Sequence, residues 1–259
     1  MKVRMLNKTE NRLVFVLDDA TPAFANTLRR IMISEIPVLA IDQISVSENT
    51  SILFDEIISH RLGLVPLVFD PKKFNFSSDC VCKGKGCPSC EVMFALEKTG
   101  PALVYSGDLK SANKGVEPSD PKFVVAELLA EQTLKLDAVA RLGRGLQHAK
   151  WQAANASYGY FPELEVTNQE KFAKYIKKVP EGLFATKAGK VVLGDLTKLD
   201  FYKKCEEDSD AMKITVDETK FVFTVESVSG LEPEYIVTAA AKLLEEKASE
   251  FKKELAELK

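Results

Sequence analysis

Four of the five cysteines in this 259-residue chain fall within eleven residues, in the order Cys80-x-Cys82-x4-Cys87-x2-Cys90. Two close pairs of thiolates joined by a short hinge can converge tetrahedrally on one ion. Gly84 and Gly86 permit tight backbone turns between the pairs, and Lys83 and Lys85 offset part of the thiolate charge. The surrounding stretch, DPKKFNFSSDCVCKGKGCPSC, is too polar to build its own core. Metal binding, worth about 10–16 kcal/mol in comparable peptides, would order it. Free thiols and two disulfides are the competing assignments. A disulfide framework belongs to secreted chains, whereas this chain shows no sign of export. Zinc and a 4Fe–4S cluster both take four cysteines, and the spacing alone excludes neither.

Other residues offer weaker chemistry. His60 stands beside Arg61, but no nucleophile or carboxylate orienter lies near it in sequence, so a structural or surface role fits it better than a catalytic base. Arg141, Arg144, His148 and Lys150 surround Trp151, a mixture seen where phosphates or single strands bind. The patch is too short to establish that. With a net charge of −3 and a pI near 5.7, the chain has no broad attraction for nucleic acid. At 46% hydrophobic residues it can fill a sizeable core. Neither an apolar leader nor a run of eighteen apolar residues occurs, which predicts a cytoplasmic location.

The elements that would position these groups follow from periodicity. Residues 1–18 read as two strands around a polar turn at Asn7–Asn11. Thr21 can cap a helix, Pro22 suits its first position and Pro37 ends it. Within it Phe24, Leu28, Ile31, Met32 and Ile36 share one face, while Asn26, Arg29 and Arg30 lie off that face. Residues 38–48 read as a strand. A second helix carries Phe54, Ile57, Ile58 and Leu62 and stops at Gly63–Pro66. Residues 91–166 alternate as a mostly β segment. A helix over NQEKFAKYIKKV and a hairpin at ATKAGKV follow, and strands return from 212. The last helix, about 233–257, spaces Val237, Leu244, Phe251 and Leu258 by seven, with Ala241, Ala248 and Leu255 four residues on. So long an apolar row requires something to pack on it.

Several phrases carry a resemblance: FANTLRRIMISEIP, FDEIISHRLGLVPL, GPALVYSGDLKS at 100–111, ARLGRGLQHAKWQ at 140–152 and FVFTVES. In this order they are similar to the assembly-platform subunits of multisubunit RNA polymerases, a family spanning the bacterial α subunit and its archaeal and eukaryotic counterparts. The archaeal form is the nearest in pattern. The resemblance implies an α+β fold. A discontinuous dimerisation domain would comprise 1–41 with 212–259, around an inserted β-rich domain at 42–166 that holds the cysteine loop. It also implies zinc at Cys80, Cys82, Cys87 and Cys90, as in the eukaryotic counterpart's similarly placed loop. Residues 167–211 resemble the ferredoxin-like insert of some archaeal members. There the cluster positions correspond to Leu199, Tyr202, Cys205 and Ser209, and Val179 stands before Pro180, so one thiolate remains where a cubane needs four.

The function implied is assembly without catalysis, and no Asp-x-Asp-x-Asp, P-loop or G-x-S-x-G motif is present. The chain would pair with the small subunit L and then nucleate docking of the large catalytic subunits, beside the other small subunits of the platform and without direct nucleic-acid contact. Phe24, Leu28, Arg29, Arg30, Ile31, Val237, Leu244 and Phe251 are expected at the partner seam. His60, Arg61, Arg144 and Trp151 are expected against the large subunits, with Arg29 and Arg30 also candidates there. Two rivals are a stand-alone iron–sulfur carrier, disfavoured by the missing ligands, and a zinc-dependent nucleic-acid module, disfavoured by the acidic pI.

Overall fold

The computed structural model describes residues 1–187 and 190–257. In chain order, β1 (Lys2–Lys8) and β2 (Arg12–Asp18) lead into helix α1 (Pro22–Ser34) and the long strand β3 (Val38–Asn49). Helix α2 (Asp55–Gly63) precedes a run of strands: β4 (Leu67–Val68), β5 (Glu91–Thr99), β6 (Ala102–Tyr105), β7 (Lys110–Ser111), β8 (Glu117–Pro118), β9 (Val124–Leu128), β10 (Thr133–Gly143) and β11 (Ala154–Val166). Then come α3 (Gln169–Tyr175), β12 (Phe184–Lys187), β13 (Lys190–Leu193), α4 (Leu199–Asp208), β14 (Met212–Ser227) and α5 (Pro233–Glu257). This is the expected α+β class.

Two compact units result, residues 1–29 with 156–226 and residues 30–155 with 227–259. In the first, a four-stranded sheet runs β1-β2-β14-β11, so strands from near both ends of the chain are hydrogen-bonded neighbours. Phe15 pairs with Phe223 across β2 and β14, and their rings stack at 5.0 Å. Val14, Val16 and Val222 form a cluster with Phe161 and Leu196. Residues 167–211 contribute α3, the β12–β13 hairpin and α4. The two residues at the tip of the predicted hairpin turn, 188 and 189, lie outside the described residues. Cys205 is buried with Phe172, Ala211 and Met212. Tyr202 is fully buried, its hydroxyl donating to the Leu183 carbonyl at 2.7 Å.

In the second unit β3-β10-β5-β7 form an antiparallel sheet, with β4–β8 and β6–β9 as separate pairs. Inward side chains of β5 and β10, including Phe94, Leu96, Leu134, Leu136 and Ala138, are buried in strict alternation. The predicted second helix begins later than its apolar pattern suggested. Phe54 is its N-cap, with an extended backbone and 74% exposed, and it follows a bent segment braced by the Asn49 and Ser51 side chains. Among the described residues, no helix is long and apolar enough to cross a membrane.

Candidate functional site

The cysteine segment folds as two tight turns closed by backbone bonds, Lys83 N–H to Cys80 O at 2.9 Å and Cys90 N–H to Cys87 O at 2.9 Å. Lys83, Gly84 and Gly86 take positive φ values of 51°, 80° and 84°. At Gly86 the positive φ favours glycine, and a side chain would also have to push the Glu91 carboxylate aside. The four sulfurs converge: Cys80 to Cys87 is 3.4 Å, Cys82 to Cys90 is 3.6 Å and Cys87 to Cys90 is 3.8 Å. All four ligand atoms lie within 4.8 Å of one another, and among the described residues this is the one His/Cys/Asp/Glu group able to hold a metal ion. Every pair is far beyond the S–S bond length of about 2.05 Å, and all are free thiols. Cys80 and Cys90 are buried, while Cys82 and Cys87 are half-buried.

Electrostatics divide these thiols. Burial would push the Cys82 thiol up, but hydrogen bonds from Cys90 and Cys80 and the Gly84 N–H outweigh it and bring it to about 7. Burial dominates at Cys90, which is pushed up to about 12. An ion bound here would displace the thiol protons and replace their mutual hydrogen bonds with four bonds to one centre.

Glu91 follows the last ligand directly, and its backbone N–H also donates to Cys87 O at 2.9 Å. Its Oε1 accepts from Arg141 Nε at 2.8 Å and Nη2 at 2.6 Å. Arg141 Nη1 lies 3.8 Å from Asp42, whose Oδ1 accepts from Lys150 Nζ at 2.6 Å. No spacing rule marks this chain of charges, which is assembled by the registers β10–β5 (Arg141 opposite Glu91) and β10–β3. Sequence reasoning therefore missed Glu91 and Asp42 altogether.

The other expected site residues are scattered. Trp151 packs on Gly143, donates its indole N–H to Arg141 O at 3.1 Å and has the Lys150 ammonium 4.3 Å from its ring centroid. Arg144 is exposed, with its guanidinium 4.9 Å over the ring of Phe76. His60 is exposed on α2 and shares a cavity of about 190 Å³ with His148, Lys150 and Asp42. Arg61 donates to Val125 O at 2.8 Å, fastening α2 to β9.

On α1, Thr21 caps the first turn by accepting from the Phe24 N–H at 3.3 Å. Leu28 and Ile31 are 5% and 2% exposed, enclosed by the chain itself, and Phe24 is half-buried. Arg29 reaches back to Asn26 at 2.9 Å, and Arg30 is exposed. On α5 Ile236 and Ala240 are fully buried and Val237 and Leu244 half-buried, whereas Phe251 and Leu255 are 67% and 47% exposed. Lys247 of α5 forms an ion pair with Glu35, the residue that follows α1. Leu258 lies outside the described residues.

Comparison with known proteins agrees with this architecture. Residues 42–162 match the family model for the RNA polymerase Rpb3/RpoA insert domain. The DNA-directed RNA polymerase subunit Rpo3 of Pyrococcus horikoshii is 37% identical over 265 residues, covering 100% of this chain and 99% of its own length. The same subunit of Methanosarcina acetivorans is 36% identical over 256 residues, 96% of either chain. That of Archaeoglobus fulgidus is 35% identical over 260 residues, covering 99% of this chain and 98% of its own. An α+β chain matched from end to end at this identity, with the insert-domain model falling on its β-rich middle, belongs to the Rpo3 family of archaeal DNA-directed RNA polymerase subunits.

Proposed function

We propose that this chain is a non-catalytic platform on which RNA polymerase is assembled. It pairs with the small subunit L, and the heterodimer then receives the large subunits that carry the chemistry. The observation that supports pairing most directly is the open end of α5. Phe251 and Leu255 stay in water on a helix that buries Pro233, Ile236 and Ala240 near its start, and a monomer gains nothing from that exposure. Leu28 and Ile31 shape the seam from beneath, while Phe24, Val237 and Leu244 are only half covered. His60 and Arg144, exposed on the β-rich part, serve the large-subunit side, with Arg61 and Trp151 fixing their supports. The domain division expected from the resemblance, with 167–211 as an insert, belongs to the same proposal. Co-expression with subunit L followed by size-exclusion chromatography tests it. A stable one-to-one complex is expected, and a chain that stays monomeric and indifferent to L overturns the proposal.

Zinc is the ion proposed for Cys80, Cys82, Cys87 and Cys90. Ligands about 2.3 Å from a tetrahedral centre stand about 3.8 Å apart. The sulfur separations of 3.4–3.8 Å support a single ion of that kind. A 4Fe–4S cluster binds each thiolate to a different iron and needs them spread around the cluster. Zinc would act here as a staple that orders the segment. Elemental analysis of anaerobically purified protein decides: about one zinc per chain is expected, and about four irons with visible absorption reject zinc.

A further inference from the structure

Two separate routes tie residues 144–151 to the cysteine segment. One starts at Glu91, whose backbone closes the second cysteine turn and whose carboxylate holds Arg141. It continues through Asp42 to Lys150, whose ammonium lies against the Trp151 ring. These side chains are between 14% and 28% exposed, so solvent screens them less than surface pairs. The other starts at Phe76, whose carbonyl accepts from the Asp79 N–H at 3.0 Å, one residue before Cys80, and whose ring carries the Arg144 guanidinium. The far side of the loop rests on fixed backbone, with the Leu146 N–H donating to Ser34 O at 2.9 Å.

We propose that Glu91 and Arg141 are positioning residues through which the four-cysteine centre sets the conformation of residues 144–151. The inference rests on metal binding at those cysteines. With the ion bound, the Cys87–Cys90 turn is fixed and Glu91 is held where Arg141 can reach it. Without the ion, that turn loosens and Glu91 withdraws. Arg141 then turns fully to Asp42 and competes with Lys150 for it. Lys150 loses its anchor, and Trp151 and the His60–His148 cavity rearrange with it. Loss of metal thereby alters a surface well away from the sulfurs.

Trp151 is the single tryptophan of the chain, so its emission reports on this loop alone. The measurement is emission wavelength and acrylamide quenching of the full-length chain, with metal content determined in parallel. Stripping the ion is expected to red-shift emission and speed quenching. Glu91→Gln and Arg141→Lys, each with metal still bound, should reproduce that shift. Lys135→Met, an exposed change on the same strand, should not. Variants that retain metal and emit like the unaltered chain overturn the coupling, as does a red shift of equal size in Lys135→Met. A chain that takes up no metal before or after zinc addition fails at the earlier step and removes the metal assignment itself.

Discussion

The indole of Trp151 lies so close to the backbone of Gly143 that a Cβ there would collide with three of its ring atoms. The residue at the end of β10 is therefore chosen by the ring that covers it. The indole N–H bond to Arg141 O then fixes the ring's rotation. Gly143→Ala is expected to destabilise the unit by about 1–3 kcal/mol, as overpacking does. Urea unfolding followed by tryptophan emission measures this, and an unchanged midpoint would show that the ring has room to move.

The cysteines separate into four whose sulfurs converge and one that stands apart. Cys82→Ser should abolish stoichiometric metal binding and lower the melting temperature, because the remaining thiols are left close together without their centre. Cys205→Ser should leave metal content unchanged, since Cys205 is buried against Phe172 and Met212 in the other unit. Equal metal loss in both variants would contradict this assignment.

Substitutions along the seam should divide by burial. Phe251→Glu with Leu255→Glu is expected to leave the unpartnered chain within about 0.5 kcal/mol of its original stability, because both residues face solvent. The same double change should prevent co-elution with subunit L. Leu28→Asp places a carboxylate at a 5% exposed position and should unfold the chain outright, at a cost of several kcal/mol. Thermal melts run beside the chromatography distinguish loss of fold from loss of partner.

Acid stability offers a further check at Asp108. Burial would raise its carboxyl, but the Lys98 ammonium at 2.6 Å and the Tyr105 N–H at 2.8 Å more than compensate and hold it below its ordinary value. A depressed folded-state value means that this contribution is complete above the unfolded value of about 3.9 and fades as pH falls through the folded one. Asp108→Asn should therefore weaken the protein at neutral pH and match it in strong acid. Urea midpoints for both proteins across pH 2–7 should converge at the acidic end, and a constant gap would refute the assignment.

Local patterns carried a good deal of this molecule. Thr21, Pro22 and Pro37 bracket α1 within a few residues, and the cysteine spacing marks the group of converging sulfurs without help from the fold. The alternation of β5 and β10 was equally visible. What escaped depends on registers between distant strands. Glu91 and Arg141 are fifty positions apart and read singly as surface charges. Phe54 fits a helical face by spacing, but its extended backbone places it at the N-cap, outside the helix. The apolar row of α5 shows in its heptads, while the point at which the chain stops covering it depends on where its neighbours end.

The pairing of β2 with β14 also sets a timetable. Residues 13–17 are hydrogen-bonded to residues 221–225, so the sheet cannot close until residue 225 has left the ribosome, more than two hundred residues after β2. Through most of synthesis β2 presents Leu13, Phe15 and Leu17 beside an unpaired edge, the exposure that invites association with other nascent chains. A stop codon placed before position 212 would release a product with that edge permanently open. Such fragments are expected to aggregate or be cleared, since the strand that would cover β2 is missing from them.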